Sequence, residues 1–457
     1  MRTKYSVIGL GKLGASMVAG IANRGFEVTG VDVIPQAVNA VNGGHAPVQE
    51  TNLEEMIAAN RERIHATLDY RTAVLNSEVT FVVVPTPSGP NGAFMLKYGQ
   101  AAFREIGKVL AEKSGYHLVV MTSTVLPGST RYGLIPALEA ASGKQCGRDF
   151  GVCYSPEFIA LGSVIHDFLN PDFLLVGEFD RRSGDRLEQA YAEIMENNAP
   201  CQRMTIENAE LAKVALNTYV TTKITFANML ADLCERLPQG DVDVVTNAIG
   251  LDTRIGRKYL KGALGYGGPC FPRDNVALGY IAQQLGTRAS IAEATDWYNR
   301  SLPSQLIARL DRVMQSAQTV AVLGLAYKPY SHVTEESHSI LLAKTLVDLG
   351  KRVVAYDPLA GESARAELPA TVTTCTSLDE CLAEADTVLI TTPDPRFRTL
   401  QAHDFNLSSA PVTVVDFWRL LDPAVRQHPQ IRYVAIGHGI DDEANAARLA
   451  ELWRGAA

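Results

Sequence analysis

The chain has 457 residues, more than one ordinary core accommodates, so two or three domains are expected. Hydrophobic residues make up 46% and charged residues 20%, which excludes a disordered chain. The balance of 42 basic against 50 acidic residues, net -8, excludes the basic footprint of a nucleic-acid binder.

In chain order, Tyr5–Ile8 reads as a strand, Ala15–Asn23 as a helix and 27–33 as a second strand, with buried strands following at 79–84 and Leu118–Met121. Continuous apolar strands alternating with helices predict a parallel sheet covered on both faces. The start, MRTKYSVIGLG, is broken by glycine too early for a secretion signal, and no apolar run approaches the ~20 residues of a membrane span. Next comes a stretch without Pro or Gly, 207–236, whose apolar spacing predicts one long helix entered through a loop at 197–204. A second strand series begins at Thr319–Leu323 and continues at Arg352–Tyr356, 387–391 and 412–415. The two series read as loose copies: YSVIGLG matches VAVLGLA, and VTGVDV matches VVAYDP. The expected class is α/β: two Rossmann-like parallel-sheet domains, 1–200 and 301–457, joined by the long helix and a helical middle domain over 201–300. That middle segment offers a surface for a homodimer or a higher homo-oligomer.

Seven scattered cysteines, with no C-x-x-C pair, suggest reduced thiols in the cytoplasm and neither a disulfide framework nor a metal site.

Four features carry chemistry. Gly9-Leu10-Gly11-Lys12-Leu13-Gly14 lies between a predicted strand and helix, and Asp32 ends the next strand. Glycines so placed let a pyrophosphate reach a helix N-terminus, while the carboxylate accepts from ribose hydroxyls and repels a 2′-phosphate, so NAD is expected. The loops Pro85-Thr86-Pro87 and Ser123–Gly128, which includes Thr124, leave strand ends where ligands of such sheets sit, although any strand-to-helix loop uses the same residues. On the long helix, Glu210, Lys213 and Asn217 share one face, which suits either a bound oxyanion or plain solvation. The densest signal is GALGYGGPCFPRD, 262–274. Its four glycines suit a backbone approached closely by a ligand, and Cys270 is followed four residues later by Asp274. A cysteine packed as a small hydrophobe is the competing reading.

In order and spacing, GLGKLG at 9–14, VPTP at 84–87, STVLPGST at 123–130, SPEF at 155–158, NAELAKVALNTY at 208–219, GYGGPCFPRD at 265–274 and GLAYKP at 324–329 resemble the UDP-glucose/GDP-mannose dehydrogenase family. The resemblance implies NAD-dependent, four-electron oxidation of a nucleotide sugar's primary alcohol to the uronic acid, of the kind used in polysaccharide biosynthesis. It implies that Cys270 forms a thiohemiacetal and then a thioester. Lys213 and Asn217 would stabilise oxyanions, Asp274 would position water, and Thr124 and Glu157 would handle water and protons. By the same resemblance Phe158, Arg254, Tyr259, Leu260, Lys261, Gly267 and Lys328 contact substrate, with Arg254 reaching across a dimer, and the C-terminal domain holds the sugar's nucleotide.

Three positions depart from the family pattern: Leu161 where a Glu is usual, Glu335 at the place of an Arg, and Trp418-Arg419 in place of Arg-Asn. They point to an offshoot whose sugar differs from glucose. Two other readings stand beside this one. A two-electron hydroxyacid dehydrogenase also pairs a Rossmann domain with K-x-x-x-N but needs no cysteine. A nucleotide-sugar binding protein without catalysis is the other.

Overall fold

The computed structural model describes residues 2–407 and 411–454. Contacts divide them into two compact units. One runs up to Leu216 and takes in Tyr280–Thr287; the other comprises Asn217–Gly279 and the chain from Arg288 onward.

The first unit contains an eight-stranded sheet: β1 Tyr5–Ile8, β2 Val28–Val31, β3 Ile64–Thr67, β4 Val79–Val82, β5 Leu118–Met121, β6 Gly151–Tyr154, β7 Leu174–Glu178 and β8 Cys201–Thr205. Their order is β3-β2-β1-β4-β5-β6-β7-β8. The first six run parallel, in the order of a dinucleotide-binding sheet. The expectation of a wholly parallel sheet meets one exception: β7 runs antiparallel to β6, and β8 extends it. The expected loop at 197–204 is corrected in the same place. Cys201–Thr205 is extended because its backbone pairs with Leu174–Glu178, and it leads straight into the helix Ile206–Glu235. β1, β4, β5 and β6 are buried at every residue, as central strands covered on both faces must be. The helix after β1 starts at Lys12, three residues before the apolar run suggested, because Gly11 takes the N-cap position.

The second unit repeats the plan with β9 Thr319–Leu323, β10 Arg352–Tyr356, β11 Thr373–Thr374, β12 Thr387–Ile390, β13 Val412–Asp416 and β14 Ile431–Ala435. These strands are all parallel, in the order β11-β10-β9-β12-β13-β14. The copies extend to the turn after the first strand. Gly9 (φ 101°) donates its N–H to Val31, and Gly324 (φ 98°) donates to Tyr356. The same unit holds the second part of helix Ile206–Glu235, and the helices Val242–Ile249 and Ser290–Arg309.

The three glycines of the first turn serve different ends. Gly9 bends the chain, and a Cβ there would stand 2.1 Å from the Val83 carbonyl oxygen. A Cβ on Gly14 would stand 1.8 Å from the Gly9 oxygen, so the helix packs on the strand only without it. A Cβ on Gly11 would meet nothing within 4 Å. Gly14→Ala is therefore expected to cost about 1–3 kcal/mol, the usual range for overpacking, and Gly11→Ala about 1 kcal/mol or less, the scale of an N-cap change. Urea unfolding midpoints of the two variants measure the contrast; equal losses would contradict it.

Candidate active site

In the first unit the candidate residues gather at strand ends. Asp32, just past β2, accepts from the N–H of Leu10 at 2.7 Å and of Ile34 at 2.9 Å, which leaves lone pairs for a further donor. Lys12 and Leu13 open the helix Lys12–Asn23. Thr86 donates its hydroxyl to the Thr124 carbonyl at 2.8 Å, and Ser123 donates to Val84 at 2.7 Å, so the loops Pro85–Pro87 and Ser123–Gly128 are tied together. Glu210 holds the latter loop from the long helix. Its carboxylate accepts from Gly128 N at 2.6 Å and Thr130 N at 2.8 Å, and burial pushes its pKa up to about 7. The sequence suggested that Glu210 shares one face with Lys213 and Asn217; the structure assigns it to loop anchoring.

Lys213 lies one turn further on. Its ammonium donates to the Glu157 carbonyl at 2.7 Å and stands 4.4 Å from the centroid of Phe158. The Glu157 carboxyl is buried and its Oε1 has no hydrogen-bond partner. Burial pushes its pKa up to about 8, and the Lys213 charge opposes that shift. Leu161 lies in the turn that follows. There Gly162 N donates to Glu50 Oε2 at 3.2 Å, so a carboxylate does approach this turn, from elsewhere in the chain.

In the second unit Cys270 is exposed and immediately precedes the helix Phe271–Gln284, whose Asp274 N–H returns to the Cys270 carbonyl at 3.0 Å. Asp274 is 1% exposed and accepts from Asn217 Nδ2 at 2.6 Å, with Arg273 Nε 3.5 Å from its other oxygen. The expected neighbours Cys270, Asp274 and Asn217 are thus assembled, with the thiol at a helix N-terminus, where the backbone dipole favours an anion.

The glycine-dense loop before Cys270 is built differently from the expectation of an open, ligand-facing backbone. A Cβ on Gly262 would stand 2.5 Å from the Ala227 oxygen, on Gly265 2.1 Å from Asn299 Oδ1, on Gly267 2.4 Å from the Glu336 oxygen, and on Gly268 2.6 Å from the Tyr327 ring. At each position the close neighbour is the protein itself. Buried side chains supply the hydrogen bonds that a helix or strand would otherwise provide. Asn228 accepts from Ala263 N (2.8 Å) and donates to Leu264 O (3.1 Å). Asn299 accepts from Tyr266 N (3.0 Å) and donates to Tyr266 O (2.9 Å). Asn275 donates to the Tyr266 hydroxyl and to Thr221 Oγ1, both at 3.0 Å. Sequence reading did not single out these amides. Asn228 alone carries a signal, a polar residue set among apolar neighbours on a helix in FANML; Asn299, in WYNRS, carries none.

The remaining candidates are more dispersed. Tyr259 is exposed at φ 67°, Leu260 is buried beside it, and Lys261 pairs with Asp243 at 3.2 Å. Arg254 projects into solvent and pairs with Asp252 at 2.6 Å. Lys328 stands 5.9 Å from the Tyr327 ring. Trp418 donates its indole N–H to Thr391 O at 2.8 Å. Arg419 is buried in a two-pronged pair with Asp243, at 2.7 and 3.1 Å, so neither residue at this departure is a free cation. Glu335 is exposed, and its carbonyl accepts from Gly268 N at 2.8 Å. Asp357, the copy of Asp32, is saturated: Leu325, Ala326, Leu359 and Ala360 all donate to it. It has no comparable capacity for a ribose. Among the described residues no cluster of metal-binding side chains occurs, and no helix is long and apolar enough to cross a membrane.

Glu157 supplies a pH test. Its carboxyl holds a proton to higher pH folded than unfolded, so its contribution to stability falls as pH rises from about 4.5 to about 8. Glu157→Gln removes that penalty, so the variant should gain on the parent across that window in thermal unfolding. Parallel curves would contradict the burial argument.

Three family profiles match the chain in succession. These are the UDP-glucose/GDP-mannose dehydrogenase family NAD binding domain over residues 3–195, central domain over 207–301 and UDP binding domain over 321–423. The chain is 36% identical over 401 residues to the UDP-glucose 6-dehydrogenase of Haloferax volcanii, covering 87% of this chain and 93% of that one. It is 34% identical to the GDP-mannose 6-dehydrogenase of Pseudomonas aeruginosa, covering 86% and 92%. Among solved structures it is similar to a UDP-glucose dehydrogenase from Pyrobaculum islandicum, with TM-score 0.86, 33% identity and coverage of 96% and 98%.

Proposed function

The chain belongs to the UDP-glucose/GDP-mannose dehydrogenase family, and on that premise we propose that it oxidises the primary alcohol of a UDP-hexose to the carboxylate, with Cys270 carrying the intermediate. The observation that carries this reading is the exposed Cys270 thiol at a helix start, one turn from the buried Asp274–Asn217 pair.

Atoms and electrons balance as one alcohol, two NAD⁺ and one water giving one carboxylic acid, two NADH and two protons. When bound, NAD would supply the hydride acceptor for each oxidation. The residues fit that group. Gly11 leaves open space at the helix N-terminus for a pyrophosphate, and Asp32 keeps acceptor capacity for ribose hydroxyls. Lys12, Leu13, Pro85, Thr86 and Thr124 complete this proposed cofactor set. Thr124 is also kept as a water and proton contact, in a loop fixed by Thr86 and Glu210.

Glu157, with its pKa near 8, is matched to exchanging a proton with the substrate hydroxyl at neutral pH. The thiolate of Cys270 adds to the aldehyde and forms a C–S bond. The resulting alkoxide is stabilised by Lys213 and Asn217, one turn apart on helix Ile206–Glu235. Loss of the second hydride gives a thioester. Water, oriented by Asp274, breaks the C–S bond, releases the acid and restores the thiol. Phe158, Arg254, Tyr259, Leu260, Lys261, Gly267 and Lys328 are proposed to hold the sugar nucleotide. The functional division is residues 1–200 for NAD, 201–300 for the cysteine loop and self-association, and 301–457 for the sugar's nucleotide. Exposed Phe226, Leu233, Ile291 and Trp297 on helices Ile206–Glu235 and Ser290–Arg309 support a homo-oligomer, and the need for a reduced Cys270 supports a cytoplasmic setting.

With UDP-glucose and other UDP- and GDP-hexoses as a panel, the preferred substrate should release two NADH per uronate formed. Cys270→Ser should lower uronate formation at least ~100-fold, since the covalent route is closed. One NADH per turnover would favour the two-electron hydroxyacid reading, and full uronate production without the thiol would exclude the covalent route. Sugar-nucleotide binding without NAD reduction anywhere in the panel would favour a binding protein.

A further inference from the structure

Besides the amides, a histidine ring hydrogen-bonds to the cysteine loop. His338, the first residue of helix His338–Asp348, is buried, and its Nδ1 accepts from the backbone N–H of Gly265 at 3.3 Å. A Cβ on Gly265 would stand 2.2 Å from His338 Cε1, so ring and loop are fitted to each other without spare room. The segment just before His338 holds the loop at two further points. Glu335 O accepts from Gly268 N, and Tyr327 and Glu336 occupy the space where side chains on Gly268 and Gly267 would be. Segment Gly324–His338 is therefore a template against which residues 265–268 are laid, and its one end carries Lys328 while the other carries the ring.

We infer that His338 is a positioning residue for Cys270: by accepting the Gly265 N–H it fixes the register of the loop on segment Gly324–His338 and so sets where the sulfur stands. The inference rests on the reading of Cys270 as nucleophile for its kinetic consequence, but not for its geometric one.

An acceptor is required here because Gly265 N–H lies in a buried stretch without a ladder partner, and an orphaned donor would draw the loop toward another arrangement. Burial holds the ring's pKa down to about 4, so it stays neutral and its Nδ1 remains an acceptor at ordinary pH, with the proton on Nε2. Asn299 alone does not suffice: it clamps Tyr266, one residue further on, and leaves the Gly265 peptide to the ring.

The test compares His338→Leu, which keeps apolar bulk but no acceptor, with His338→Asn, whose amide oxygen can take the place of Nδ1. Three quantities are read well below each variant's thermal midpoint: iodoacetamide alkylation of Cys270 in the resting protein, followed by peptide mass; kcat; and KM for NAD. The Leu variant should alter the alkylation rate at least ~threefold and lower kcat ~10-fold or more with KM within ~twofold, because displacement of a reacting group by an ångström costs of order 100-fold. The Asn variant should recover both to within ~threefold of the parent. Parental alkylation and kcat in the Leu variant would overturn the inference, as would equal losses in both variants with alkylation unchanged. Because alkylation needs no turnover, a failure of the Cys270 chemistry, seen in Cys270→Ser, is distinguishable from a failure of the positioning role.

Discussion

A buried backbone must find partners for its N–H and C=O groups, and residues 262–268 run largely through the interior without a strand or helix to provide them. Asn228, Asn299 and His338 do so, while Asn275 ties down the Tyr266 hydroxyl. Each such bond left unmade would cost about 1–3 kcal/mol, so the loop has few alternative paths. The glycines follow from the same constraint. Side chains at 262, 265, 267 and 268 would collide with the groups that hold the loop. The outcome is an exposed sulfur on a rigid mount, followed at once by a helix whose first turn contains Asp274. Rigid mounting is what a nucleophile needs, since reaction geometry tolerates little displacement.

The two lobes show how one turn serves two purposes. Gly9 and Gly324 bend alike, and Asp32 and Asp357 both accept from the residue after the glycine. Asp32 accepts two backbone N–H groups and keeps capacity; Asp357 accepts four and keeps none comparable. A carboxylate committed to the backbone cannot also discriminate a ribose. This is a physical reason to assign the dinucleotide to the first lobe only, and strand order alone does not separate them.

Much of this was legible in the sequence. Tyr5–Ile8, Leu118–Met121, Thr319–Leu323 and Arg352–Tyr356 form as strands over the expected residues, because short runs rich in β-branched and other apolar residues favour a pleated, buried surface. The long helix begins and ends within one residue of its expected bounds. Cys201–Thr205 was not legible: CQRMT has no alternation, and its extended form comes from pairing with β7. Nor was the direction of β7, which is a tertiary property. Within the candidate site, Cys270, Asp274, Asn217 and Lys213 stand out by spacing, whereas Glu157 enters only through the family resemblance of SPEF at 155–158. The buried amides and His338 were not, because an Asn or His on a helix has the same spelling whether it meets solvent or clamps a loop 33 to 73 residues distant.

The central claim is that carbon–sulfur bond formation at Cys270 lies on the path to the acid. The most direct measurement is to quench Asp274→Asn, expected to slow thioester hydrolysis, with acid during turnover of the preferred nucleotide hexose and NAD, and to weigh the peptide that contains Cys270. The account predicts an added acyl mass on that sulfur, removed by hydroxylamine. An unmodified thiol at every quench time, while uronate continues to accumulate, would contradict it.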